Sequence, residues 1–276
     1  LYYYLFTIWA ARHGGARVLM YGCGIGHVAR PFNRRLAKKV LDKNADVITL
    51  RDTISRRELS EMGITHPQVR SAADPALSLS PAPDEDACQY LRQHGLDPEG
   101  RYICFSVRPW KDFDRFEAFS QAADYAREKY GLETVFMPIE DPTDVEPSRR
   151  AAAGMKHESH LLPAPDRVEL TMAVLRRMKL MCAMRLHALV FSAAADTPFL
   201  AVSYDIKVKS FMDYVENPSC CELGEVTADW LCGEIDRIMA DPGAYRSRSA
   251  RLRTLEAENT HAARDMLGEA LCGKEG

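Results

Sequence analysis

No run of about 20 apolar residues occurs among the chain's 276 positions, so a membrane-spanning helix is not expected. A basic excess is missing too. The 36 Lys and Arg stand against 39 Asp and Glu, a net charge of -3, which offers no field for nucleic acid. The eight cysteines include no C-x-x-C and no Cys/His spacing of the zinc type, so a reduced, cytosolic chain is the simple reading. His157 and His160 lie three apart, but no further ligand set accompanies them, and no metal site is expected. The phosphate-loop signatures are absent as well. Gly22-Cys23-Gly24-Ile25-Gly26 reads G-x-G-x-G rather than G-x-G-x-x-G, and no G-K-[ST] follows it. No bound cofactor is implied. Solenoid repeats and low-complexity tracts are also lacking.

What is present is a globular composition, with 46% hydrophobic and 27% charged residues, long enough for one large or two ordinary domains. Short apolar strands alternate with amphipathic helices throughout. Strands are expected at Arg17–Tyr21, Asp46–Leu50, Gln68–Ser71, Arg101–Val107, Glu133–Pro138, Glu158–Leu162, Leu180–Ala183 and Phe199–Ser203. Helices are expected between them, with a tail at Ala228–Ala240 and Tyr245–Leu271. Ser78–Pro83 (S-L-S-P-A-P) breaks the alternation and reads as a linker. The pattern predicts two doubly wound βα domains facing a cleft, over 1–82 and 83–242, with a helix at 243–276 packing back on the first. Leu1–Ala11 has neither a basic region before it nor a small-residue cleavage site after it, and reads as a core helix rather than a signal peptide. A helix with no strand before it is an odd opening for this alternation, so the chain is expected to start inside its first domain.

The chemistry concentrates in Met184–Asp205, M-R-L-H-A-L-V-F-S-A-A-A-D-T-P-F-L-A-V-S-Y-D. Arg185 and His187 follow one predicted strand, and Tyr204, Asp205 and Lys207 follow the next. Ligands of open α/β sheets bind beside the carboxyl ends of strands, so two cations and an imidazole are placed to surround an anion. His187 is the acid/base candidate, since imidazole titrates near neutrality; the bland reading is a helix-start residue. Arg51 closes the strand D-V-I-T-L, where a guanidinium suits a carboxylate or phosphate, or simply pairs with Asp52 or another acid. Arg108-Pro109-Trp110 repeats the arrangement, with Trp110 free to stack on a sugar or to fill the core. Gly22, Gly24 and Gly26 suit either an anion-binding loop or a tight turn. Asp74, in A-D-P-A, reads chiefly as a turn residue.

These segments together resemble the polysaccharide pyruvyl transferase family. The matching blocks are G-C-G-I-G (22–26), A-D-V-I-T-L-R-D-x-x-S (45–55), A-D-P-A (73–76), S-V-R-P-W (106–110), M-R-L-H-A-L-V-F (184–191) and Y-D-x-K-V (204–208), in the family's order and across most of the chain. The resemblance implies an α/β, GT-B-like fold of two Rossmann-like domains. It implies transfer of a pyruvyl group from phosphoenolpyruvate to a sugar of a cell-wall polymer or exopolysaccharide precursor. A lipid-linked acceptor would bring such a cytoplasmic enzyme to the inner face of the membrane as a peripheral contact. Carried over by position, Arg51, Arg185 and Lys207 bind the donor and His187 is catalytic, with Leu186 between two of them adding a donor-side backbone contact; Gly22, Gly24, Gly26 and Arg108 are read, from their places after strands, as an anion or acceptor loop. The family's opening G-N-x-G-D segment and first strands are not found here. Cys23 stands where Gln or Ser is common, and His27 where Pro is. The rival readings are a nucleotide-sugar-dependent GT-B glycosyltransferase and a non-catalytic remnant of the family.

Overall fold

The computed structural model describes residues 1–111 and 113–272, side chains apart at 245–250 and 269–272. Two compact units emerge, one of residues 1–78 with 251–276, the other of residues 79–250.

In chain order the first unit holds α1 (Tyr2–His13), β1 (Leu19–Cys23), α2 (Pro31–Asn44), β2 (Val47–Leu50), α3 (Thr53–Glu61) and β3 (Gln68–Ser71). Its sheet runs β1-β2-β3, all parallel. The central strand V-I-T-L is buried along its whole length, as a strand covered on both faces must be. Pro31 opens α2 at a position where its missing N–H costs nothing. Asp52 caps α3 by accepting from the Ser55 N–H at 2.6 Å.

The second unit holds α4 (Asp84–Gln93), β4 (Tyr102–Ser106), α5 (Phe116–Tyr130), β5 (Glu133–Phe136), α6 (Val145–Ala153), β6 (Ser159–Leu161), α7 (Val168–Arg176), β7 (Leu180–Ala183), α8 (Leu186–Ala194), β8 (Phe199–Ser203), α9 (Ile206–Tyr214), β9 (Cys220–Glu222) and α10 (Ala228–Ala240). The last helix, α11 (Gly243–Cys272), carries the residues that return to the first unit. The six-stranded sheet runs β6-β5-β4-β7-β8-β9, parallel at every pair. The chain winds outward from β4 in one direction through β5 and β6, then from β7 in the other through β8 and β9. This is the doubly wound order, with its switch point between β4 and β7. Strands β4, β7 and β8 are buried throughout, while the edges β6 and β9 are short and partly exposed. Phe105, Phe119, Phe136 and Leu180 pack in the core beneath them.

Several expectations need correction. The opening helix forms, but it is not a core helix. Only Leu5 and Ile8 are buried, whereas Tyr2, Tyr3, Tyr4, Phe6 and Trp9 are exposed. Its apolar residues surround the axis, and a single face three residues apart meets the core. After β8, α9 begins at Ile206 and takes Lys207 into its first turn, a helix absent from the expected elements. The three-residue strand β9 was not expected from sequence, being too short to show alternation.

Candidate active site

Three segments leave the carboxyl ends of the adjacent strands β4, β7 and β8. Arg185, the residue before α8, has extended backbone and a side chain only 13% exposed. All three of its nitrogens face carboxylates. Nε donates to Asp144 Oδ2 at 2.8 Å, Nη2 to Asp144 Oδ1 at 2.5 Å, and Nη1 pairs with Glu140 Oε2 at 2.5 Å. The Asp144 side chain is fully buried, while that of Glu140 is 58% exposed. Burial works against the Arg185 cation, but the Asp144 hydrogen bonds and the charges of Asp144 and Glu140 outweigh it and raise its pKa. The cation foreseen in the sequence is therefore present, and it is already neutralised by two acids.

Leu186 is half-buried at the start of α8, and His187 is exposed in the helix's first turn. The His187 ring lies 5.8 Å from that of Phe191, tilted by 31°. Lys207 is exposed, and its N–H donates to the cap residue Asp205 at 2.9 Å. No carboxylate among the described residues pairs with its ammonium. Arg108 follows β4. Its Nη1 donates to the Tyr204 hydroxyl at 2.7 Å, and its guanidinium carbon lies 4.5 Å from the Tyr204 ring centre and 5.3 Å from that of Trp110. Trp110 and Tyr204 are themselves 4.5 Å apart and rest partly on the core, so Trp110 packs against the core cluster as well as a cation.

In the first unit, Arg51 follows β2 and pairs with Asp74, not with Asp52, which is spent on its helix cap. Asp74 is buried and also accepts the Ala76 N–H at 3.1 Å. The glycines divide by role. Gly22 takes a left-handed φ of 57°, and any side chain there would strike the Pro75 ring. A side chain on Gly24 would stand 2.9 Å from Arg51 Nε, and one on Gly26 would meet nothing. The loop they belong to is pinned to α3. Ile25 N–H donates to Ser55 at 2.6 Å, and Glu58 accepts from Val28 N–H at 3.1 Å, from Arg34 at 2.5 Å and faces His27 at 3.1 Å. Burial alone would raise the Glu58 pKa, but these partners lower it.

His157 and His160 face different acids, Glu128 at 3.3 Å and Glu133 at 3.7 Å. No group of three or more metal-type side chains gathers among the described residues. Sequence reasoning missed Glu140 and Asp144 as partners of Arg185, because the contacts are made across the sheet, Asp144 lying 41 residues away in the chain. It also missed Asn259 of α11, whose fully buried amide bridges the Thr49 hydroxyl at 2.5 Å and the Ala73 carbonyl at 2.9 Å. An Asn on the buried stripe of an otherwise solvated helix was the one available signal.

A family model described as polysaccharide pyruvyl transferase matches residues 1–206. No curated protein matches the chain. Among solved structures, UDP-GlcNAc 2-epimerase from Neisseria meningitidis bound to UDP-GlcNAc superposes with a TM-score of 0.64 at 10% identity, over 96% of this chain and 73% of that one. A glycosyltransferase from Rickettsia africae gives 0.63 at 11% identity, over 95% and 73%. Anabaena Alr3699/HepE in complex with UDP-glucose gives 0.61 at 11% identity, over 98% and 76%. At these identities the likeness is one of fold: parallel α/β sheets of GT-B type.

Proposed function

Because the chain belongs to the polysaccharide pyruvyl transferase family, we propose that it transfers the pyruvyl group of phosphoenolpyruvate to two hydroxyls of a sugar, forming a ketal on a precursor of a cell-wall polymer or exopolysaccharide. The observation that carries this reading is the placement of Arg185, His187 and Lys207 at the carboxyl ends of the neighbouring strands β7 and β8. That is where an open α/β sheet holds its ligand. Arg185, Leu186 and Lys207 take the donor, Arg for the planar carboxylate and Lys for the phosphate as a point charge. Arg51 of the first unit is the further donor residue that the family pattern suggests.

In this reading His187, as imidazolium, gives a proton to the donor's methylene carbon, leaving an oxocarbenium-like centre at the adjacent carbon. A sugar hydroxyl adds there and surrenders its proton. The carbon–oxygen bond to phosphate breaks, phosphate departs, and the second hydroxyl closes the ketal. Of the two hydroxyl protons, one restores the imidazolium spent on the new methyl group and the other leaves with phosphate. The cations stabilise the charge that develops. The acceptor would be met in solution or on a lipid carrier at the inner face of the membrane; no helix among the described residues is long and apolar enough to cross one.

The test is phosphate release from phosphoenolpyruvate with a panel of sugar acceptors. His187→Ala should cut kcat by about 10²–10⁴-fold with donor affinity little changed. Undiminished turnover in that variant would sink the assignment. Release from none of the acceptors, together with tight binding of a nucleotide sugar, would favour a nucleotide-sugar-dependent transferase instead.

A further inference from the structure

The electrostatics of the second unit do not centre on the residue that the sequence made prominent. Arg185 is held by two carboxylates, so the group of three carries a net negative charge before any ligand arrives. Arg108 is the reverse case. No carboxylate among the described residues pairs with it, yet its guanidinium is fixed by two ring faces and a hydrogen bond to Tyr204. Aromatic faces orient a cation without cancelling its charge. Among the described residues Arg108 is therefore a cation oriented by rings and not by a carboxylate, and it stands beside the switch point between β4 and β7.

Two neighbours point the same way. Lys111 adopts a φ of 41°, a left-handed conformation uncommon for a residue with a side chain. Its ammonium lies 5.5 Å from the Trp110 ring, again with no carboxylate partner among the described residues. Ser106, at the end of β4, is fully buried, and its hydroxyl has no hydrogen-bond partner among them. Among the described residues, two cations without a carboxylate partner, a buried hydroxyl without a hydrogen-bond partner and two aromatic rings thus gather at the head of one strand and its neighbours.

We infer that Arg108 and Lys111, with Trp110 and Tyr204 as positioning residues, form a binding site for a sugar carried on a phosphate or diphosphate. The cations take the phosphate oxygens, and the rings present an apolar edge to the organic part. Phosphoenolpyruvate offers no ring for such a surface, which assigns the site to the second substrate rather than the donor. That assignment to an acceptor rests on the transferase reading; the binding chemistry does not. Glycosyl diphosphates come on nucleotides and on polyprenyl lipids, and the site's chemistry suits the portion they share.

Equilibrium binding of pyrophosphate, UDP-GlcNAc and a detergent-solubilised polyprenyl diphosphate sugar to the whole protein tests this directly. Arg108→Ala should weaken binding of at least one of these diphosphates by about 10–100-fold, the loss of one charge-assisted contact. Arg108→Gln, which keeps most of the packing, should do nearly the same, and circular dichroism should show both variants folded. Tyr204→Phe keeps the ring and removes only the hydrogen bond, so a loss of a few-fold is expected. In turnover, these changes should raise KM for the acceptor while KM for phosphoenolpyruvate stays put. Whichever diphosphate binds in an Arg108-dependent way identifies the carrier. The inference is overturned if the wild type binds none of them, or if both Arg108 variants bind them as the wild type does. A protein that binds diphosphates through Arg108 yet never releases phosphate from phosphoenolpyruvate would refute the transferase reading and leave the site standing.

Discussion

Arg185 answers to two demands. Fully buried Asp144 requires its charge, and an incoming anion would have to compete for it. Glu140 is the partner that can yield, since its side chain is largely exposed and holds a single nitrogen. Glu140→Gln should therefore lower KM for phosphoenolpyruvate several-fold, because a neutral amide competes less with the donor's carboxylate; an unchanged or higher KM would refute the exchange. Arg185→Ala is a poor probe of donor binding. It strands a buried carboxylate and should cost about 3–5 kcal/mol of stability, readable in a denaturant melt. Arg185→Lys is the cleaner variant. Glu58 makes a similar point in the first unit. Its folded pKa lies below the ordinary carboxylate value, so its contribution is present above about pH 4.3 and fades as the pH falls through the folded pKa. Glu58→Gln should lose about 1.5–3 kcal/mol at neutral pH, with the gap to wild type closing in acid. A pH-independent gap in melting temperature would mean that the carboxylate's charge contributes nothing.

At the scale of elements, the site depends on where helices begin. Asp205 caps α9 and thereby sets the turn that carries Lys207. Thr227 caps α10 in the same manner, accepting from Trp230 N–H at 3.2 Å, but that helix bears no candidate site residue. Each cap replaced by Ala should cost about 1 kcal/mol. Only Asp205→Ala should also raise KM for phosphoenolpyruvate, so the pair separates stability from positioning, and equal kinetics in the two variants would remove α9 from the site. A different anchoring holds α5 to α10, where Asp236 accepts from Tyr125, Tyr130 and Lys129 at 2.7–2.8 Å. These partners lower the Asp236 pKa against the opposing effect of burial.

On the scale of the whole molecule, the first unit is built from both ends of the chain. Leu252, Asn259 and Ala262 of α11 are buried there, Arg70 reaches Asp265 at 2.7 Å, and Arg17 reaches the Met266 carbonyl at 2.5 Å. Truncation before Arg251 should render residues 1–78 protease-sensitive while residues 79–250 stay folded; resistance of both would show that α11 is dispensable. Much of this architecture was legible in the chain itself. Apolar alternation, the Pro31 and Asp52 helix starts and the linker near Ser78 are local patterns, and local patterns specify strands, helices and their order. The blocks around Arg51, Arg108 and Arg185 likewise placed those residues after strands without any structure. Their charge states were beyond reach. Arg185 meets Asp144 across 41 residues, Arg108 meets Tyr204 across 96, and Thr49 meets Asn259 across 210. Which cation meets carboxylates and which meets aromatic rings depends on which strands become neighbours, and only the folded sheets decide that.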